Sequence, residues 1–236
     1  MRTLALHRFI LLCTLLSAAS SGGVQPENEE AFTLLFPEEG VPQGWTVRRW
    51  NDVSLPASPS VKWRVQGGIL RGSDPRLTWL MSEREYTNFI LKYDFRLGTQ
   101  GNSGCALRAP LSGDPAFDGM ELQMADLRYN PQAKPSELTG GIYRAIPPDM
   151  QVYKPTQWNS VEVRLMGPRL RVTLNGQLIH DLNLDEQSQS VKRHNGASAP
   201  PVKSRPRKGH IGFQELSRGN SQVQIRNARI KVLDTE

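Results

Sequence analysis

Cysteine is almost missing from this chain of 236 residues, which has only Cys13 and Cys105. Cys13 falls in a segment expected to be removed, and a lone cysteine forms no internal disulfide, so the fold must hold by its core. Long apolar runs are missing too. The stretch "FILLCTLL" (9–16) is short for a membrane span, and no later segment is greasy enough to be one. The four histidines show no metal-ligand spacing, and His180, His194 and His210 read as surface residues rather than ligands. There is no Gly-x-Ser-x-Gly elbow and no phosphate loop. No long amphipathic helix and no fixed-period repeat stands out either.

The first 22 residues differ from the rest. Arg2, His7 and Arg8 precede the apolar run, and the small residues of "SAASSGG" (17–23) follow it. That order predicts a signal peptide, cleaved between about Ala19 and Gly23, and hence an exported protein, periplasmic or secreted. Leu12 before Cys13 argues against a lipoprotein site. Residues 23–30 read as a polar linker, and 31–236 as a single domain. Removing Arg2 and Arg8 lowers the formal charge from +6 to +4. Much of the excess lies in "VKRHNGASAPPVKSRPRKGH" (191–210), read as a solvated basic loop. No aromatic residues interleave with its cations, so no nucleic-acid partner is expected.

From Phe32 onward, short segments of period-two alternation are separated by Gly, Pro, Asn and Asp. "NFILKYDFRLG" (88–98) puts Phe89, Leu91, Tyr93 and Phe95 on one side. "SVEVRLMGPRLRVTLNGQLIHDL" (160–182) reads as three strands, turning at Gly167-Pro168 and at Asn175-Gly176. "SGCALRA", "GMELQMA", "TGGIYRA" and "GHIGFQEL" complete the middle and end. About a dozen short strands predict an all-β, antiparallel β-sandwich, with 183–208 as its one long irregular loop. Most of the five tryptophans, Trp158 included, are expected in the core.

Within "DGMELQMADLR" (118–128), Met120, Leu122 and Met124 point one way, while Glu121 and Gln123 point the other. The same alternation puts Arg108 opposite Leu107 and Ala109, and Gln214 opposite Phe213. Glycines cluster among these residues, and a glycine inside a strand often marks a close approach to the backbone. Arg108, Glu121, Gln123 and Gln214 are therefore expected to meet in one open, concave groove on the outer face of a sheet. The spacing of Glu121, Gln123 and Asp126 is similar to the Glu-x-Asp-x-x-Glu strand of laminarinase-type hydrolases. Two of those three acids are replaced here, which argues against an ordinary two-carboxylate retaining mechanism.

The ordered blocks "VKWRVQGGIL" (61–70), "NFILKYDFRL" (88–97), "GNSGCALRA" (101–109), "DGMELQMAD" (118–126), "GGIYRAIPP" (140–148), "QWNSVEV" (157–163) and "RPRKGHIGFQE" (205–215) resemble the 3-keto-disaccharide hydrolase domain family. The resemblance runs over about residues 31–234. It implies a jelly roll of the concanavalin A-like or laminarinase-like kind, and a glycoside or oligosaccharide substrate whose C3 hydroxyl has been oxidised to a ketone. A 3-keto group acidifies the C2 proton, so a base can eliminate the C1 substituent and water can then add. On this resemblance Glu121 is the acid/base and Arg108 its catalytic companion at the enolate oxygen, Asn102 being the alternative there. Asn102, Gln123, Asp126, Tyr143 and Gln214 are the substrate-binding candidates. No cofactor is expected, although a divalent metal at the enolate would serve the same chemistry. Leu216 stands where the family pattern has a histidine, which strengthens the rival reading of a non-catalytic, lectin-like module. A third reading has the loop 191–208 contacting an acidic polysaccharide.

Overall fold

The computed structural model describes residues 32–233; the expected signal peptide and linker lie outside them. The first strands are β1 (Thr33–Leu34), β2 (Trp45–Arg49), β3 (Lys62–Gln66), β4 (Ile69–Asp74), β5 (Thr78–Tyr86), β6 (Phe89–Arg96) and β7 (Asn102–Ala109). A one-turn helix α1 (Pro115–Asp118) leads into β8 (Met120–Ala125). β9 (Asn159–Met166), β10 (Arg169–Leu174), β11 (Gln177–Asn183), β12 (Gly209–Glu215) and β13 (Gln224–Val232) follow. One sheet runs β11-β10-β9-β6-β13-β4-β3, with β1 on β13; the other runs β2-β5-β12-β7-β8. Every strand pairing is antiparallel. This is the expected all-β sandwich.

Its core follows the period-two pattern. Phe89, Leu91, Tyr93 and Phe95 of β6 face Cys105, Met120, Leu122, Met124 and Phe213 of the other sheet, all of them buried. Phe213 meets Tyr93 edge-on at 5.3 Å between ring centroids. Burying a side chain of this size contributes roughly 2–3 kcal/mol. Asn175 and Gly176 both take positive φ, 53° and 78°, the left-handed pair that a two-residue hairpin between β10 and β11 requires.

Three expectations fail. "TGGIYRA" is not a strand: Gly140 and Arg144 have positive φ, 91° and 58°, and the segment curls into a tight loop. Trp158 is not in the core. It lies half-buried on the outer face of the larger sheet, with the Arg96 and Arg226 guanidiniums 4.8 and 4.2 Å from its ring centroid.

The third failure is Arg108. His210 pairs with Ala109 and Gly212 with Ala106, so β7 carries one extra residue against β12. Arg108 sits in this bulge at φ 51°. The bulge reverses the alternation, and Ala109 joins Ala106 on the outer face beside Val53, Trp79 and Met81. The Arg108 side chain turns away and is fully buried. Its Nε donates to the Thr87 carbonyl at 2.6 Å, Nη1 to the Gly167 carbonyl at 2.9 Å and Nη2 to Asn88 Oδ1 at 3.3 Å. Burial lowers its pKa to about 10, so it stays charged at neutral pH. Arg108 is thus a clasp from the smaller sheet onto the β5–β6 and β9–β10 turns.

Removing this guanidinium takes a donor from three acceptors, of which Asn88 Oδ1 is buried and the Thr87 and Gly167 carbonyls lie in the turns. Arg108→Ala should lower the unfolding free energy in urea by about 2–4 kcal/mol, and Arg108→Lys should recover only part of it.

Candidate active site

The outer face of the five-stranded sheet carries a cavity of about 220 Å³. Its floor is the polar side of β8. Met120, Leu122 and Met124 enter the core as the alternation requires, so Glu121 and Gln123 face outward. They are nevertheless only 1% and 4% exposed, because loops close over them. The 139–145 loop runs along the free edge of β8. Gly140 N–H donates to the Gln123 carbonyl at 2.9 Å, Gln123 N–H to the Gly141 carbonyl at 2.8 Å and Tyr143 N–H to the Glu121 carbonyl at 2.9 Å. This mimicry of a strand brings Tyr143 to the cavity.

Across the sheet, Glu121 pairs with Ala106 and Gln123 with Gly104. The Glu121 side chain lies over Gly104, where a Cβ would overlap its Oε1. Glycine is needed at 104 for space, not for its backbone angles. Glu121 Oε1 and Asn102 Oδ1 are both buried without a hydrogen-bond partner. Two bare acceptors at the base of an open cavity suit donors from a hydroxylated ligand.

Five of the seven expected residues line the cavity: Asn102, Glu121, Gln123, Tyr143 and Gln214. Asp126 lies in an adjoining hollow that shares Asn102, Gln123 and Tyr143. Arg128 takes both its carboxylate oxygens at 2.6 Å. Burial works to raise the Asp126 pKa, but these hydrogen bonds hold it below the ordinary value. Asp126 therefore has little left to offer a ligand. Arg108 is not among the lining residues, since the bulge aims it elsewhere.

The cavity also contains groups that sequence reasoning missed. Asp114 caps α1, its Oδ1 accepting the Ala116 N–H at 3.0 Å. Burial raises its pKa to about 7. Glu121 is raised well above the usual carboxyl range, by burial first and by Asp114 second. Asp114 thus adds to the cost of ionising Glu121. The sequence showed one carboxyl on β8; the second arrives from a cap that "SGDPAFDG" marks only as a helix start.

Arg76 enters from the β4–β5 connection. It donates to Tyr129 Oη at 3.0 Å, while its Nε is buried without a partner. His194 arrives on the long loop 183–208, its ring 5.6 Å from Trp50, 5.2 Å from Phe117 and 5.8 Å from Tyr143. Burial, and then Arg144, lowers its pKa, keeping a neutral imidazole. His194 is exposed, as read from the sequence, yet it lines the cavity; the surface reading fails instead for His180 and His210, which are buried against the Gly140 and Ser82 carbonyls. The loop read as a solvated basic run is tied down through most of its cations. Arg193 forks onto Asp118 at 2.9 and 2.5 Å. Arg205 is buried on backbone carbonyls, and Arg207 and Lys208 pair with Asp185 and Glu85. Leu216 lines the cavity too. Among the described residues no group of three or more His, Cys, Asp or Glu side chains is disposed to hold a metal ion.

The 3-keto-alpha-glucoside-1,2-lyase-like domain family matches residues 31–231. A solved structure from Parabacteroides distasonis ATCC 8503, named a "putative glycosyl hydrolase", superposes with a TM-score of 0.68 at 25% identity, covering 86% of this chain and 99% of that one. A second of the same name and organism gives 0.66 at 26%, covering 88% and 98%. No curated protein matches the chain.

The tight fit of Glu121 over Gly104 predicts an energetic coupling. Gly104→Ala alone should cost about 1–3 kcal/mol by overpacking, and Glu121→Gly in the same chain should recover most of that loss. Urea titrations of the single and double variants measure the coupling, and additive losses would contradict the contact.

Proposed function

Because the chain belongs to the 3-keto-alpha-glucoside-1,2-lyase-like domain family, we propose that this carbohydrate-active protein cleaves 3-keto-glycosides by elimination followed by hydration. The observation that carries the reading is the pair of partnerless buried oxygens, Glu121 Oε1 and Asn102 Oδ1, at the base of the cavity. A sugar brings hydroxyl donors to such acceptors.

In the proposed reaction Glu121, as a carboxylate, takes the C2 proton that the C3 ketone has acidified. The electron pair forms the C1–C2 double bond, and the C1–O bond breaks with protonation of the leaving oxygen. Water then adds at C1, and C2 regains a proton, for net hydrolysis. The enolate oxygen needs a cation or donor, the role expected of Arg108. Arg76 takes that role here, since its guanidinium lines the cavity and Arg108 does not. Tyr143, a neutral phenol because burial and Glu121 raise its pKa, and His194 are the available groups for the leaving oxygen. Gln123 accepts the Met124 N–H on Oε1, which leaves its amide NH2 for the sugar; Gln214 lines the same cavity from β12. The signal-like residues 1–22 put this activity outside the cytoplasm in the same proposal.

A lectin-like module would use the same groove, and Leu216 in place of a histidine favours it. The two readings part on Glu121→Gln. As an enzyme the variant should bind a 3-keto-glucoside within a few-fold of the parent protein and lose about 10²–10⁴ in turnover. The base works only when ionised and its pKa is raised, so wild-type kcat/KM should rise with pH, at higher pH than an ordinary glutamate would give, as Glu121 loses its proton. Binding with no turnover in the wild type would establish the lectin.

A further inference from the structure

The outer face of the larger sheet is paved with cations, and it lies on the opposite side of the sandwich from the cavity. Arg64 of β3 stands directly across from Arg71 of β4. Arg71 is level with Gln224 of β13, which is level with Arg96 of β6. One row perpendicular to the strands thus carries three guanidiniums over four strands, each strand about 4.8 Å from the next. Further along, Arg164 of β9 opposes Arg171 of β10. Three acids on this face are already engaged, Asp94 with Arg226, Glu162 with Lys92, and Asp181 with Arg169 and Arg171, while Asp74 of β4 stands across from Lys62 at the edge.

Like charges directly opposite each other destabilise a sheet. Arg64 and Arg71 are both exposed, and neither forms an ion pair with any described residue. A merely solvated face needs only polar residues there, and uncharged ones would spare the repulsion.

We propose that this face binds an acidic polysaccharide, its guanidinium rows pairing with carboxylates borne along the polymer. Arginine's planar fork matches a carboxylate, and rows of cations suit a repeating anion better than a single ligand. Gln66, Ser160, Thr173 and Gln224 fill the positions among the cations, and they offer nothing to insert into a lipid surface. The aromatic Trp158 already carries the Arg96 and Arg226 guanidiniums against its ring, which competes with stacking on bases. The basic loop 191–208 is the poorer candidate, because Arg193, Arg205, Arg207 and Lys208 are engaged within the protein. The inference does not depend on the reaction proposed for the cavity, and both sites are open at once.

The test is a titration of the full chain with alginate at low and high salt. A neutral β-glucan, phosphatidylglycerol vesicles and duplex DNA form the other arms. Alginate should bind in a salt-sensitive way, and the other three weakly or not at all. Arg64→Glu should weaken alginate binding by about fivefold or more at low salt. The same substitution should raise the melting temperature, because the reversed charge now faces Arg71. Glu121→Gln should bind alginate as the wild type does. Undiminished binding by Arg64→Glu, equal binding of the neutral glucan, or preference for vesicles or DNA would overturn the proposal.

Discussion

A carboxyl group held under loops without a partner for one of its oxygens is the constraint around which the smaller sheet is arranged. Glu121 is 1% exposed with Oε1 bare, in a setting where an ionised carboxylate is expensive. The surroundings accommodate it by staying small and by leaving the cavity open. Gly104 gives it room, Ala106 lies opposite on β7, and the 139–145 loop closes the edge beside it with three backbone hydrogen bonds. Asp114 then sits close enough to push its proton affinity higher still. These are the conditions under which a glutamate becomes a strong base once ionised, and under which a hydroxylated ligand finds unsatisfied acceptors waiting.

Charge is separated across the sandwich. The cavity side concentrates Glu121, Asp114 and a neutral imidazole, with Arg76 as the cation that lines it. The far side concentrates arginines whose neighbours are arginines. Between them, the core is hydrocarbon and aromatic, with Arg108 clasping one end. A modest net charge therefore hides two surfaces of very different character.

How much of this was legible in the sequence depended on whether a strand stayed regular. β8 and β6 are regular, and their alternation placed Glu121, Gln123 and the aromatic core correctly. β7 is not, and one extra residue sent Arg108 to the other face. A bulge held by a non-glycine residue at positive φ leaves no mark in the alternation. "TGGIYRA" looked like a strand because it lies along one and shares its hydrogen-bonding edge, yet its glycine-permitted turns bend it into a loop. Asp114 and His194 reach the cavity by tertiary packing alone. The first is aimed by a helix cap and the second by the Arg193–Asp118 fork, and neither leaves a signal in local spacing. Trp158 looked apolar enough for the core, but two guanidiniums supply it with a covered surface instead.

The most direct test of the central claim is a reaction run in D2O with a 3-keto-glucoside beside its unoxidised parent, following early product by mass and NMR. The account predicts cleavage of the ketone alone, with deuterium bound to C2 from the first turnovers. Cleavage of the parent at a comparable rate, or a product that keeps its original C2 hydrogen, would contradict it.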